Sequence, residues 1–330
     1  MSEVVILEHP NASYLSQDIY QDLQDNGVSI NHVDVDRSTF PNGEKYYRIH
    51  VDSNFSLLGK TGVYIASLTN DDEILDMYRV GTALVQAGLK RRIFVIPFFA
   101  YLSLDRVGLT GEIMTAKCNS MLLGLTGSAG EGNVFVFLDL HITSLLHYFE
   151  GPCLRMELYG KNALLRGIAD QNWDTSNIII GSTNLRHANW VNSYAKSLGC
   201  QVAFCRDKGN YIGDGSMGVV GDVTGKHVVI FDDMIRSGES AISATKVYLA
   251  AGAKRVDLVA SHLACFDIMH IEGLIESEIQ TIIVTNSHPV TQSEAVRSSP
   301  KFVVVDVSNI ISQSLYEMLP SPEKPHRASL

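Results

Sequence analysis

At 330 residues the chain has length for two domains of ordinary size with buried sheets, which excludes a peptide or a disulfide miniprotein. Apolar residues make up 45% and charged ones 19%, globular values that argue against general disorder or a solenoid of simple composition. Lys and Arg number 26 against 36 Asp and Glu, a net charge of −10, so the footprint of a general nucleic-acid binder is missing and an anionic substrate would need locally gathered cations. Cys118, Cys153, Cys200, Cys205 and Cys265 form no C-x-x-C and no paired ligand spacing, and read as reduced thiols. The first residues carry no basic leader, and no window approaches the roughly 18 uninterrupted apolar residues of a membrane span. A cytoplasmic protein without membrane or nucleic-acid partners is expected.

Strand-length apolar runs alternate with segments of helical period. Val4 to Leu7 reads as a strand and Tyr14 to Leu23 as a helix that Gly27 ends. Val33 to Val35 and Tyr46 to Val51 are short β-like runs around Phe40-Pro41-Asn42-Gly43-Glu44, a turn that presents side chains outward. Gly62 to Leu68 (strand), Asp71 to Ala87 (helix), Ile93 to Phe98 (strand), Ile113 to Leu125 (helix) and Val134 to Leu138 (strand) close the first half. The second half reads as helix 155–169, strand Ile178 to Ile180, helix 185–197, strand Val202 to Phe204 and a long glycine-rich loop 205–219. Then come strand His227 to Phe231, helix 238–251, strands Val256 to Ser261, Thr281 to Thr285 and Phe302 to Val305, and a last helix 308–318. The proline-bearing tail 320–330 reads as disordered. Such alternation predicts an α/β protein of two similar domains, 1–154 and 155–319, each a mainly parallel β-sheet flanked by helices, with ligands at the carboxyl ends of strands.

The chemistry concentrates in His227-Val-Val-Ile-Phe-Asp-Asp-Met-Ile-Arg-Ser-Gly-Glu-Ser240: strand, acidic pair, small-residue turn, helix. Backbone N–H groups at the helix start attract phosphate, Ser237 and Ser240 add hydroxyl donors, and Gly238 allows close approach. Asp232 and Asp233, at a strand end before the anion site, are placed to accept from two neighbouring hydroxyls, and a phosphate beside a diol is ribose 5-phosphate. Taken alone, two acids before a helix read as caps.

This stretch resembles the phosphoribosyl-binding loop of the type I phosphoribosyltransferase fold, used by transferases and by ribose-phosphate pyrophosphokinases. Phe40-Pro-Asn-Gly-Glu44 resembles the adenine-contacting hairpin of the pyrophosphokinases, and Leu138-Asp-Leu-His141 their D-L-H segment; transferases lack both. Pro97-Phe98-Phe99, the Val220-Gly-Asp-Val-Thr-Gly-Lys lead-in and Ser261-His262 extend the likeness over nearly the whole chain. The resemblance implies transfer of the β,γ-pyrophosphoryl group of Mg-ATP to the anomeric hydroxyl of ribose 5-phosphate, with ATP on the first domain and the sugar phosphate on the second. It implies that Phe40 stacks on adenine and that Asn42 and Glu44 bond its edge. By the same likeness Asp232 and Asp233 hold the ribose hydroxyls, Ser237, Gly238 and Ser240 the 5-phosphate, and His141 and Asp232 lie at Mg²⁺. The family's mobile Lys-x-Arg pair corresponds to Arg206-Asp207-Lys208 with the bases exchanged, a solvated surface pair being the plainer alternative. Arg106 falls where the plant-type, phosphate-independent class places a phosphate-contacting arginine, with a local salt bridge as the alternative. A homo-oligomer is implied by the resemblance alone.

Two departures bear on substrate and metal. Gly181-Ser182-Thr183-Asn184 stands where the family has P-D-x-G, so a hydroxyl replaces a carboxylate and a second Mg²⁺ would be held less well. Glu239 in the phosphate loop would repel a dianion if turned inward, with Arg236 near enough to offset it. That opens an alternative substrate with an esterified 5-phosphate, such as ADP-ribose; a catalytically silent regulatory homologue and a true phosphoribosyltransferase are further alternatives. Gly213-Asp-Gly-Ser-Met-Gly218 matches G-x-G-x-x-G without the required strand and helix and is read as a flexible catalytic loop.

Overall fold

The protein was analysed as a computed structural model that describes residues 3–51, 56–183, 188–206 and 218–319, the side chains of Asn189 and Arg206 excepted. The first elements are β1 (Val4–Glu8), α1 (Ser13–Asp25), β2 (Ile30–His32), β3 (Val35–Thr39), β4 (Lys45–Ile49), β5 (Thr61–Ile65), α2 (Asp71–Gln86), β6 (Arg91–Ile96), α3 (Thr115–Gly124), β7 (Asn133–Leu138) and β8 (Cys153–Leu158). There follow α4 (Lys161–Ala169), β9 (Ile178–Ser182), α5 (Ala188–Leu198), β10 (Gln201–Val202), β11 (Phe204–Arg206), β12 (Gly218–Val220), β13 (His227–Ile235) and α6 (Glu239–Ala250). The chain continues through β14 (Arg255–Leu263), α7 (Ile268–Glu276), β15 (Ile282–Thr285), α8 (Glu294–Ser298), β16 (Phe302–Val305) and α9 (Ser308–Met318).

The first unit holds a six-stranded sheet in the order β2-β1-β5-β6-β7-β8, every pair parallel. The second holds a six-stranded sheet in the order β10-β9-β13-β14-β15-β16, again all parallel. Between its second and third strands each unit inserts an antiparallel hairpin, β3/β4 in one and β11/β12 in the other. The two units are thus one topology used twice, although no residue-level repeat is visible. In both sheets the strand order reverses about one point, between β1 and β5 and between β9 and β13, and in open α/β sheets ligands bind beyond the carboxyl ends of the strands at such a point.

The central strands are apolar on both faces, as a parallel sheet covered by helices requires. Every residue of β5 and β7 is buried, and Phe94 stacks on Phe135 with ring centroids 4.9 Å apart. In the second unit Ile230 packs with Ala244 and Tyr248 of α6 and Leu274 of α7, while Phe231 on the opposite face packs with Leu164 of α4 and Tyr194 of α5. Among the described residues no helix is long and apolar enough to cross a membrane.

Several sequence expectations require correction. The strand expected over Val202 to Phe204 is two, β10 and β11, and β11 pairs antiparallel with β12, so both ends of the stretch expected as the loop 205–219 are strand. The helix expected over 155–169 begins only at Lys161, because Cys153–Leu158 pairs with β7 from Asn133↔Cys153 to Leu138↔Leu158. Leu154 and Leu158 fit a helical i,i+4 pattern, whereas Leu154, Met156 and Leu158 fit strand alternation equally, and the open edge of β7 decides. The compact units are residues through Tyr159 together with Ser308 onward, and Gly160–Val307, in place of the expected boundary at 154/155. Helix α9 belongs to the first unit because it packs on α1, where Ser312 Oγ donates to Asp22 Oδ2 at 2.9 Å, and the Met318 carbonyl accepts from Arg91 at 2.8 Å. The strand expected to end at Phe231 runs to Ile235, because β14 continues to Leu263 and supplies partners through Met234↔His262 and Ile235↔Leu263. Finally, α7 and α8 occupy stretches for which no element was expected. The tail 320–330 lies outside the described residues.

Candidate functional site

In the second unit β9 stops at Ser182, opposite Phe231, while β13 runs on along β14. Asp232 and Asp233 therefore lie inside the β13/β14 ladder but beyond the end of β9, at the topological switch point. They are 9% and 7% exposed. Asp232 Oδ1 accepts from the Asp233 N–H at 3.0 Å, and Oδ2 accepts from Thr183 Oγ1 at 3.1 Å.

After Ile235 the strand gives way to the turn into α6. Gly238 caps that helix with φ +78°, a left-handed conformation that favours glycine, and a Cβ there would lie 2.7 Å from Leu274 Cδ2. The Glu239 N–H donates to Ser237 Oγ at 3.4 Å, and Arg236, Glu239 and Ser240 are exposed. An exposed Glu239 is the arrangement in which an acid in this loop is tolerated. Acceptor carboxylates, hydroxyls and a helix N-terminus thus follow one another within nine residues, a set suited to a diol next to a phosphate.

The corresponding loop of the first unit, after β5, is chemically opposite. Asn70 caps α2, and Asp71, Asp72 and Glu73 fill its first turn. The Glu73 carboxylate itself accepts from the Thr69 N–H at 2.5 Å and from Thr69 Oγ1 at 2.7 Å. With its donors used internally and three acids at the helix start, that loop repels a phosphate. Equal topology therefore carries opposite chemistry at the two switch points.

What the first unit presents instead is the β3/β4 hairpin. Phe40 N–H donates to the Glu44 carbonyl and Gly43 N–H to the Phe40 carbonyl, both at 2.8 Å, and Gly43 takes φ +89°. Phe40 is 49% exposed and meets Tyr46 edge to face at 5.7 Å. Asn42 Oδ1 accepts from the Glu44 N–H at 3.2 Å, and both side chains are exposed. The root of the hairpin is held by Arg37, whose Nε donates to Asp76 Oδ2 at 2.6 Å and whose second nitrogen reaches Tyr64 Oη at 3.0 Å. Tyr64 also donates to Asp76, and burial holds its phenol pKa well above the usual value.

His141 is half-buried, three residues past the end of β7. Its loop passes through Asp139 at φ +42° and is anchored by β8: Asp139 N–H donates to the Leu158 carbonyl and Leu140 N–H to Glu157 Oε1, both at 2.9 Å. Partial burial raises the Glu157 pKa against the lowering effect of that Leu140 bond. Arg106 is 73% exposed at its side chain and pairs with the neighbouring Asp105 carboxylate, Nε lying 3.0 Å from both oxygens. The local salt bridge is therefore present, with the guanidinium otherwise open to solvent. Arg206 ends β11, the topological counterpart of the first unit's hairpin, while Lys208 and the glycines from Gly213 to Gly215 lie outside the described residues.

Among the described residues no three His, Cys, Asp or Glu side chains converge as a metal cage. Mg²⁺ keeps several waters and binds one or two carboxylates together with substrate phosphates, a mode that the oxygen donors of Asp232 fit. Ser182, in the place of the expected carboxylate, is fully buried. Sequence reasoning passed over Thr183, Glu157 and Arg37. The alternation at 154–158 was the one signal for Glu157, and nothing local in the sequence pairs Arg37 with Asp76.

Two parallel sheets of one topology, each with an inserted hairpin, and an acidic pair running into a Ser-Gly phosphate loop at one switch point define a protein of the type I phosphoribosyltransferase fold. The family model described as the N-terminal domain of ribose phosphate pyrophosphokinase matches residues 4–127, and that described as the phosphoribosyl synthetase-associated domain matches residues 212–320. The chain belongs to the ribose-phosphate pyrophosphokinase family. A ribose-phosphate pyrophosphokinase of Pyrococcus abyssi is 29% identical over 270 residues, covering 80% of this chain and 87% of that one. One from Prochlorococcus marinus is 28% identical over 252 residues (75% and 72%), and the chloroplastic ribose-phosphate pyrophosphokinase 1 of rice is 26% identical over 310 residues (92% and 73%). The crystal structure of phosphoribosylpyrophosphate synthetase from Mycobacterium smegmatis shares the fold, with a TM-score of 0.81 at 22% identity over 96% of this chain and 99% of that one.

Proposed function

We propose that the protein is a ribose-phosphate pyrophosphokinase. The anomeric oxygen of ribose 5-phosphate attacks the β-phosphorus of ATP, the bond from that phosphorus to the α,β-bridging oxygen breaks, and AMP leaves with that oxygen. The anomeric hydroxyl gives up its proton, and the products are PRPP and AMP. Such chemistry is mainly positioning and charge neutralisation. Asp232 and Asp233 accept the ribose hydroxyls, and Ser237, Gly238 and Ser240 receive the 5-phosphate. Phe40 offers a face for adenine, Asn42 and Glu44 address its edge, and Arg106 reaches the ATP phosphates. Arg206 and Lys208 carry the positive charge that the transferring group requires. Mg²⁺ bound with ATP would neutralise phosphate charge, with Asp232 on the second unit and His141 on the first as its candidate donors.

The observation that carries this reading is that Asp232 and Asp233 lie past the end of β9, at the carboxyl ends of the strands where the sheet order reverses, five residues before the Gly238 turn. The exposed Glu239 gives no reason to prefer an esterified sugar phosphate over the free one. Cytoplasmic location and homo-oligomeric assembly accompany the reading by resemblance. The test is AMP release from Mg-ATP, followed with and without ribose 5-phosphate. Release that depends on the sugar phosphate is expected; none, with ATP intact, would point to a silent homologue.

A further inference from the structure

The residue after the buried Ser182 is Thr183, 5% exposed, whose hydroxyl donates to Asp232 Oδ2 at 3.1 Å. With the Asp233 N–H on Oδ1 at 3.0 Å, one oxygen of the Asp232 carboxylate is held from its own strand and the other from the residue that follows β9. The last torsion of an aspartate is a broad, roughly two-fold rotor, so one bond on each oxygen sets the plane of the group. These two bonds therefore orient the carboxylate. From this geometry we infer that Thr183 is a positioning residue that holds Asp232 in the orientation that receives the sugar hydroxyls. The inference rests on the reading of ribose 5-phosphate as substrate.

Thr183 is itself held from the helix that carries the phosphate loop. Tyr248 of α6 accepts from the Ser182 N–H at 3.1 Å, and its hydroxyl lies 2.9 Å from the Ser182 carbonyl and 3.1 Å from the Ala203 carbonyl. Burial raises the pKa of that phenol, so it remains a donor. Tyr248 reaches this place only because residue 181 is glycine: a Cβ there would stand 2.8 Å from Val228 Cγ1 and 3.0 Å from the Tyr248 hydroxyl oxygen. One helix therefore sets both the anion-binding turn at its start and, two turns on, the end of β9 from which Thr183 reaches Asp232. A neutral donor beside the acidic pair also avoids the repulsion that a third carboxylate would add.

The test compares Thr183→Val and Thr183→Ser with the parent protein, by steady-state kinetics in both substrates and by calorimetric binding of ribose 5-phosphate. Removing a hydrogen bond to a charged group should raise KM and Kd for the sugar phosphate by about tenfold or more, with kcat and KM for ATP little changed and Thr183→Ser close to the parent. Parent-like sugar affinity in Thr183→Val overturns the inference, as does Thr183→Ser as impaired as Thr183→Val, since packing of the methyl would then be the cause. If Thr183→Val does not fold, the serine variant decides by itself, because weakened sugar binding with the hydroxyl retained overturns it. A parent protein that neither binds nor turns over ribose 5-phosphate overturns the functional reading and this inference with it.

Discussion

His288 stands three residues beyond the end of β15, as His141 stands three residues beyond the end of β7, the strand in the same place of the other sheet. The two imidazoles meet different surroundings. His141 is half-buried, whereas His288 is 8% exposed, accepts from the Val290 N–H at 3.1 Å and lies in a polar cluster where His262 Nδ1 is 2.7 Å from Ser287 Oγ. Burial, and then the charge of His262, lower the His288 pKa from 6.5 to about 3.

A base whose folded pKa is depressed stays neutral in the native state while the unfolded chain takes up a proton. Its contribution to stability is complete above pH 6.5 and falls as pH drops toward about 3. The slope for one such group approaches about 1.4 kcal/mol per pH unit. Urea unfolding at about pH 7 and about pH 5 should show a larger acid-side loss in the parent than in His288→Asn. Parallel losses would show that His288 is not the group responsible.

Gly238→Ala places a Cβ at φ +78°, 2.7 Å from Leu274 Cδ2. The expected loss is about 1–3 kcal/mol of stability, together with weaker ribose 5-phosphate binding, because the turn that presents the amides must shift. Equilibrium unfolding and calorimetry measure the two effects. A variant as stable as the parent would mean that the loop relaxes around the methyl.

Asp233→Ala should remove sugar-phosphate affinity and leave ATP affinity nearly intact. One charged hydrogen bond lost corresponds to about tenfold or more in Kd. Titration of each ligand separately tests the assignment, and undiminished affinity for the sugar would refute the role of that carboxylate.

Arg37→Ala leaves Asp76, 3% exposed, without its cation. Breaking a buried pair from one side costs about 3–5 kcal/mol. Since Arg37 ties the hairpin to β5 and α2, KM for ATP should rise more than KM for ribose 5-phosphate. Equal changes in both constants would indicate a general loss of folding.

Much of the site was legible because its parts are local. The acidic pair, the glycine and the serines sit within nine residues, and their meaning depends only on a strand before and a helix after. The Phe40–Glu44 turn was readable for the same reason, since Pro, Asn and Gly each restrict the backbone by themselves. The misreading of 153–158 has the complementary cause: six residues whose apolar positions satisfy both periods carry no local decision, and the vacant edge of β7 made it.

The amino-acid sequence alone determined the alternation of strands and helices, the small-residue turn at Gly238 and the order of chemical groups from Asp232 to Ser240, because torsional preference and neighbour spacing act over a few residues. Only the tertiary structure decided that Thr183 meets Asp232, that Arg37 meets Asp76, that Glu157 steadies the loop of His141 and that α9 returns to the first unit. Those pairings join residues 17 to 290 positions apart in the chain, and they arise from which sheet edge is open and where one strand ends beside another that continues, neither of which is a property of any short segment.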